Sequence, residues 1–190
     1  MIHGWFKKLS IEDQNHSRRV AELSLEIADQ IILTQKDVKI DREKLEKAAL
    51  YHDLGKIMVD QNILNKSGSL TKREKDEIML HAKYSSQLIL KSGLTKDIAK
   101  IAMLHHENCD GTGYPFKLYE SEIPFESRII RVSDVFDALC SRRSYKMAFD
   151  TTEALGIIEI EKSRYDIEVT KALKCVIKQH TQLDKMRITC

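Results

Sequence analysis

The sequence predicts an all-α domain, and three observations carry that prediction. Apolar residues recur at helical spacing over long segments, as at Val20, Leu23, Ile27 and Ile31. No segment alternates apolar and polar residues as a half-buried strand does. The composition agrees, with 7 Gly and 2 Pro in 190 residues and abundant Leu, Ala, Lys and Glu, which favour helix. A chain of this length buries a sizeable core as one domain.

In chain order, residues 1–10 read as a lead-in, 11–180 as the domain and 181–190 as a tail. Ile11 to Leu33 forms a long amphipathic helix. A polar connection then ends at Asp41, a good N-cap, with Glu43 in the first turn. The second helix carries Leu45, Ala48, Ala49 and Leu50 up to His52-Asp53, and Gly55 is expected to stop it. Residues 54–70 are irregular, with one turn near Gln61 to Leu64. Thr71-x-x-Glu74 is a capping box opening a helix that holds Ile78, Met79 and His81. Another helix covers Tyr84 to Lys91 and breaks at Ser92-Gly93. Thr95 caps the helix leading to His105-His106. After the loop 107–121, Pro124 lies near the first turn of a helix running through Ile129, Asp134 and Leu139. Thr151 and Asp166 are expected to cap two C-terminal helices.

Charge and cysteine usage narrow the function classes. The formal net charge is +2, which leaves no broad basic footprint for polymeric nucleic acid or a membrane surface. The cysteines, Cys109, Cys140, Cys175 and Cys190, are scattered without a CxxC pair, against a structural zinc site or a disulfide scaffold. No signal peptide and no apolar run of about 20 residues is present. The expectation is a soluble cytoplasmic protein.

The chemistry lies in the histidines and acids. Glu12 and His16 are four apart, on one helical face. His52-Asp53, His81 and His105-His106 fall at or near helix ends, and Asp134 lies within the next helix. Successive helical residues diverge by about 100°, so His105 and His106 cannot chelate one ion through a common face, but they can serve two adjacent ions. Taken singly, each histidine reads more readily as a structural residue than as a ligand, and Gly113 with Pro115 reads as an ordinary turn. A shared site accounts for the whole set better than separate accidents.

The order of these residues resembles the HD-domain phosphohydrolases, and within them the HD-GYP group. The resemblance rests on His52-Asp53-Leu54-Gly55-Lys56, on the stretch from His105 to Pro115, and on Arg128-x5-Asp134-x-x-Asp137-Ala138-Leu139. It spans about residues 12–170. It implies an HD-domain-like helical bundle with additional C-terminal helices of the HD-GYP type. It also implies His16, His52, Asp53, His81, His105, His106 and Asp134 as metal ligands, with Asp53 bridging two ions and Glu12 accompanying a third. Imidazole and carboxylate without thiolate suit iron or manganese, and the family precedent favours iron.

The activity so implied is hydrolysis of cyclic di-GMP to linear pGpG and onward to GMP. Two bridged cations lower the pKa of a shared water and polarise the phosphoryl oxygens. Lys56 would set its ammonium against a non-bridging oxygen, although a lone lysine there also reads as solvated. Tyr114, Arg143 and Lys146 are implied as dinucleotide contacts, the arginine offering a bidentate fork. Asp137, one turn after Asp134, either accepts from a guanine or supports the site. Asp110 is read as fixing backbone amides and Arg128 as a structural ion-pair partner. Two other readings use the same residues: a module that binds cyclic di-GMP or a partner protein without turnover, and an HD phosphohydrolase acting on another nucleotide or cyclic dinucleotide. A homo-oligomer is compatible with each.

The chain departs from the family pattern in its loops. Asp60 and Ser67 stand where the family usually has prolines, and Lys117 and Glu120 where it often has glycines. Arg142 and Ser144 replace a common Asp and Pro, and Tyr165-Asp166-Ile167 matches Phe-Asp-Pro in part. None of these removes a ligand candidate.

Overall fold

The computed structural model describes residues 1–35, 37–141 and 148–188, with side chains as far as 183. Among the described residues the secondary structure is helical, with one isolated antiparallel bridge between Asp110 and Tyr119. The α-helices are α1 (Ile2–Phe6), α2 (Ile11–Thr34), α3 (Arg42–Leu50), α4 (Gln61–Leu64), α5 (Lys72–Met79), α6 (His81–Lys91), α7 (Lys96–Met103), α8 (Phe125–Cys140), α9 (Thr151–Ile160) and α10 (Ile167–Ile188). No described helix is long and apolar enough to cross a membrane.

Central in the bundle is α2, which packs against α3, α8 and α10. Its buried stripe of Val20, Ile27, Ala28 and Ile31 follows the helical period and meets Leu45, Ala48 and Ala49 of α3 and Ile129 and Val132 of α8 in one core. Where α2 crosses α8 two small polar residues face each other. Ser24 donates to Ser133 at 3.0 Å, and Ser133 donates to the Ile129 carbonyl at 3.0 Å. Both hydroxyls are thereby satisfied at full burial, and the close crossing brings the start of α2 against the second half of α8. On the other side α6 packs against α7 and against a 3-10 turn, Leu54–Met58.

Local signals set most helix ends. Asp41 accepts from Lys44 N, Thr95 from Ile98 N, and the Thr71/Glu74 box is complete. Gly93 follows α6 at φ +90°, a conformation that costs glycine little.

Several expectations are corrected. The lead-in holds α1, and Phe6 and Leu9 are buried in or beside the core. Helix α3 ends at Leu50, so His52-Asp53 lies in the turn beyond it, and Gly55 sits inside the 3-10 turn rather than stopping a helix. His81 opens α6 instead of lying late in the preceding helix, because the chain breaks at Leu80. Asp150, not Thr151, caps α9 through the amides of Thr152 and Glu153. The tail from 181 continues α10 to Ile188. Asp166 does cap α10, accepting from Glu168 N and Val169 N.

Two loop departures have visible consequences. Asp60 caps the short α4. Lys117 takes φ +58°, a left-handed conformation that costs a non-glycine residue roughly 1 kcal/mol. A glycine would adopt it freely.

Candidate metal centre

Three helices and two helix-end turns converge on one carboxylate. Asp53 is buried in the turn after α3, held where Gly55 lets the 3-10 turn press onto α6. Its Oδ1 lies 3.2 Å from His81 Nε2 and 4.0 Å from His105 Nε2. Its Oδ2 lies 3.4 Å from His52 Nε2 and 3.7 Å from His16 Nε2. The two oxygens therefore face two different sets of imidazoles. Asp53 with His81, His105 and His106 forms one cluster, and Asp53 with His16 and His52 forms a second. Asp134 of α8 closes the group, 3.1 Å from His16 Nε2 and 3.8 Å from His106 Nδ1.

The imidazoles are oriented from behind. His52, His81 and His105 each turn Nδ1 to the carbonyl three residues earlier, at 2.6, 2.7 and 2.6 Å. A carbonyl can only accept, so these nitrogens carry the proton and each Nε2 presents a bare lone pair. The consequence is a site that protein atoms alone leave unsatisfied. His81 Nε2 and His105 Nε2 lie 3.4 Å apart, acceptor against acceptor. His52 Nε2 is fully buried with no hydrogen-bond partner. A cation between such lone pairs removes the conflict. Imidazole and carboxylate donors without thiolate fit a divalent transition metal.

Electrostatics point the same way. Burial pushes the pKa of His105 and His106 well below the usual range, so both are neutral and ready to ligate. Burial opposes ionisation of Asp53, but the Lys56 ammonium outweighs it and holds the carboxyl well below the usual range. Burial likewise opposes a charged His16, yet its hydrogen bonds to Asp134 and Asp137 outweigh it and raise the pKa to about 10. Without bound metal, a protonated imidazole thus supplies positive charge that the buried carboxylates demand.

The other candidate residues fall around this centre. Lys56 Nζ lies 2.7 Å from Asp53 Oδ2 and 2.8 Å from Asp13 Oδ1. Tyr114 stacks on His106, with ring centroids 4.6 Å apart. Glu12 is exposed in the first turn of α2 and belongs to neither cluster. Asp137 lies behind His16, with both oxygens engaged. Asp110 accepts from Thr112 N, and Arg128 pairs with Asp166 at 2.6 Å. Arg143 and Lys146, like Arg142 and Ser144, lie outside the described residues.

Sequence reasoning missed the supports of the His105 to Pro115 stretch. Buried Glu107 accepts from Phe116 N at 2.6 Å and Leu118 N at 3.0 Å, folding the loop back on itself. Arg131 donates to Asn108 Oδ1 at 3.0 Å and lies 3.4 Å from His106 Nδ1. Gly113 is required by close approach, since a Cβ there would meet Asn108 N at 2.3 Å and His106 O at 2.6 Å. Asp13 and Arg19 were also missed, although their spacing from His16 on α2 is a usable signal.

A helical bundle gathering histidines and aspartates around one buried carboxylate defines a class of metal-site protein. The chain belongs to the HD domain family, whose model matches residues 7–169. It is 39% identical over 173 residues to the 3'3'-cGAMP-specific phosphodiesterase 3 of Vibrio cholerae, covering 88% of this chain and 37% of that protein. It is 35% identical over 171 residues to the cyclic di-GMP phosphodiesterase response regulator RpfG of Xanthomonas campestris, covering 88% of this chain and 43% of that protein. The chain thus spans less than half the length of either relative. Two solved structures share the fold. Bd1817, an HDG"Y"P protein from Bdellovibrio bacteriovorus, gives a TM-score of 0.68 at 20% identity, over 87% of this chain and 52% of that one. The HD domain of the L. monocytogenes phosphodiesterase PgpH gives 0.65 at 19% identity, over 95% and 99%.

A metal-site test follows from the unsatisfied lone pairs. Adding manganese(II) at a hundredfold excess over its dissociation constant is expected to stabilise the fold by about 2.7 kcal/mol. For a chain of this size that is a rise in Tm of roughly 5–10 °C. Thermal denaturation with and without a chelator checks it, and an unchanged Tm would count against the site.

Proposed function

We propose that this chain is a metal-dependent phosphodiesterase of the HD-GYP type that opens cyclic di-GMP to linear pGpG and carries it on to GMP. The observation that carries the reading is Asp53, whose two oxygens face two separate sets of imidazoles. That arrangement suits a pair of divalent ions, with iron favoured and manganese as the alternative. When bound, such ions supply Lewis-acid neutralisation of the phosphodiester and acidify water.

The chain's own residues complete the reaction. Water oxygen bonds to phosphorus, the P–O3′ bond breaks and the proton released by the water is taken up by O3′, leaving a 5′-phosphate and a 3′-hydroxyl on a linear dinucleotide. The Lys56 ammonium has three donors, of which Asp53 and Asp13 take two. The third is available to a non-bridging phosphoryl oxygen as charge builds there. Tyr114, placed beside the centre on His106, offers an aromatic ring for a base to stack on. Arg143 and Lys146 are proposed as phosphate or guanine contacts on the sequence resemblance alone. Glu12 stands as the candidate for a third ion, and a Glu12→Ala metal count distinguishes that role from a surface acid. The proposed setting is the bacterial cytoplasm.

The relative named for 3'3'-cGAMP favours a second substrate reading, since it matches this chain at 39% identity. One experiment addresses both. Protein loaded anaerobically with iron or manganese is incubated with cyclic di-GMP and, separately, with 3'3'-cGAMP, and products are resolved by chromatography. Linear pGpG from the first supports the proposal. Turnover of the second alone reassigns the substrate, and tight binding without any product selects the binding-module reading.

A further inference from the structure

Among the described residues, the candidate ligand histidines do not share one kind of support. His52, His81 and His105 lean on neutral backbone carbonyls, and His106 Nδ1 faces Arg131. His16 alone among them hydrogen-bonds a carboxylate through Nδ1, Asp137 Oδ2 at 2.7 Å. That carboxylate is itself clamped. Arg19 donates Nε to Asp137 Oδ1 at 2.6 Å and a terminal nitrogen to Oδ2 at 2.9 Å, and Ser141 Oγ lies 3.1 Å from Oδ2. Arg19 also donates to Ser141 Oγ at 2.9 Å, closing a small ring of contacts. Asp137 is buried, whereas the Arg19 side chain is partly exposed. Every oxygen lone pair that points toward a partner is therefore spoken for by His16, Arg19 or Ser141.

We propose that Asp137, held by Arg19, is the positioning residue of His16 and sets the affinity of one of the two ions selectively. The inference rests on the metal centre proposed above. Arg19 fixes the plane of the carboxylate, and the carboxylate holds the Nδ1 proton. Nε2 is then aimed at Asp53 and Asp134, 3.7 and 3.1 Å away, and would ligate on giving up its own proton. A carboxylate behind an imidazole also makes that imidazole a stronger donor than a carbonyl does. His16 belongs to the cluster with His52 and Asp53 and not to the one with His81, His105 and His106. Loss of Asp137 therefore acts on the first cluster.

Asparagine cannot replace the carboxylate, because its amide nitrogen is a donor set against the donor Arg19 Nε or His16 Nδ1, and the negative charge is lost. Asp137→Asn is expected to weaken the ion held by His16, His52 and Asp53 by about 10- to 100-fold, with the other ion retained. Arg19→Met, which leaves the carboxylate but frees its plane, is expected to weaken the same ion by less. The probe is manganese(II) alone, titrated into chelator-treated protein and counted as ions per chain. Far-ultraviolet circular dichroism establishes that each variant is folded. In the zinc-loaded protein, proton NMR of the imidazole N–H groups should show the His16 Nδ1 proton shifted or lost in Asp137→Asn. The three carbonyl-bound protons should stay in place.

Two ions in both the wild type and Asp137→Asn, at equal affinity and with an unmoved His16 proton, would overturn the assignment and leave the metal centre standing. Equal loss of both ions from Asp137→Asn and from Arg19→Met would overturn the selectivity and assign the pair a general structural role. A wild type that takes up no manganese overturns the centre itself.

Discussion

Asp53→Asn is expected to reduce the proposed phosphodiesterase turnover by about 10³-fold or more and to leave the chain with at most one bound ion. The replacement is nearly isosteric, so the fold has little reason to change. What it removes is a charge and one of two oxygens that face separate imidazole sets, His81 with His105 and His52 with His16. The amide nitrogen put in place of one oxygen is a donor and ligates nothing. Lewis-acid stabilisation of a phosphoryl transition state contributes several kcal/mol, and each 1.36 kcal/mol corresponds to tenfold in rate. Lys56 keeps Asp13 as a partner at 2.8 Å, which limits the structural cost of losing the Asp53 charge. Metal per chain and product formation are measured on the same sample. A variant that keeps two ions and wild-type turnover would remove Asp53 from the role assigned to it.

Gly55→Ala is expected to cost about 3 kcal/mol, the upper part of the usual range for overpacking, and to lower Tm by roughly 6–12 °C. A Cβ at this position would meet His81 O at 2.0 Å, Ser85 N at 2.5 Å and Tyr84 Cβ at 2.8 Å. The first two are backbone atoms of α6, which cannot swing aside as a side chain tip does. The 3-10 turn must therefore separate from α6, stretching the bond from Gly55 N to Ser85 Oγ, now 2.8 Å. Asp53 lies two residues before this contact and His81 at its far side, so metal binding should weaken along with stability. Thermal denaturation of the metal-free variant reads the first effect, and a manganese titration reads the second. Wild-type values in both would mean that α6 yields freely at this point.

These two residues also mark how far the sequence can be read. Asp53 carries its chemistry in its residue type, and its place in the His-Asp pair is enough to single it out. The role of Gly55 cannot be read that way. As a sequence feature it suggests the end of a helix, the commonest use of glycine near one. Only the approach of α6, thirty residues later in the chain, turns it into a contact requirement. Asp137 divides similarly. Its spacing from Asp134 puts both on one face of α8, but whether it meets a base or a histidine depends on where α2 crosses.

Helix identity was determined by the sequence, because periodicity and capping act between residues within a few positions of each other. Asp41, Thr71 and Thr95 cap the helices that follow them for that reason. So was the inventory of donors, His16, His52-Asp53, His81, His105-His106 and Asp134, because imidazole and carboxylate are properties of single residues. The tertiary structure alone decided which oxygen of Asp53 faces which imidazoles. It also decided that bare nitrogens of His81 and His105 oppose each other at 3.4 Å, and that Glu12 stays exposed while Asp13 reaches Lys56. Those facts depend on how α2, α6 and α8 pack, and packing is settled by contacts between residues far apart in the chain.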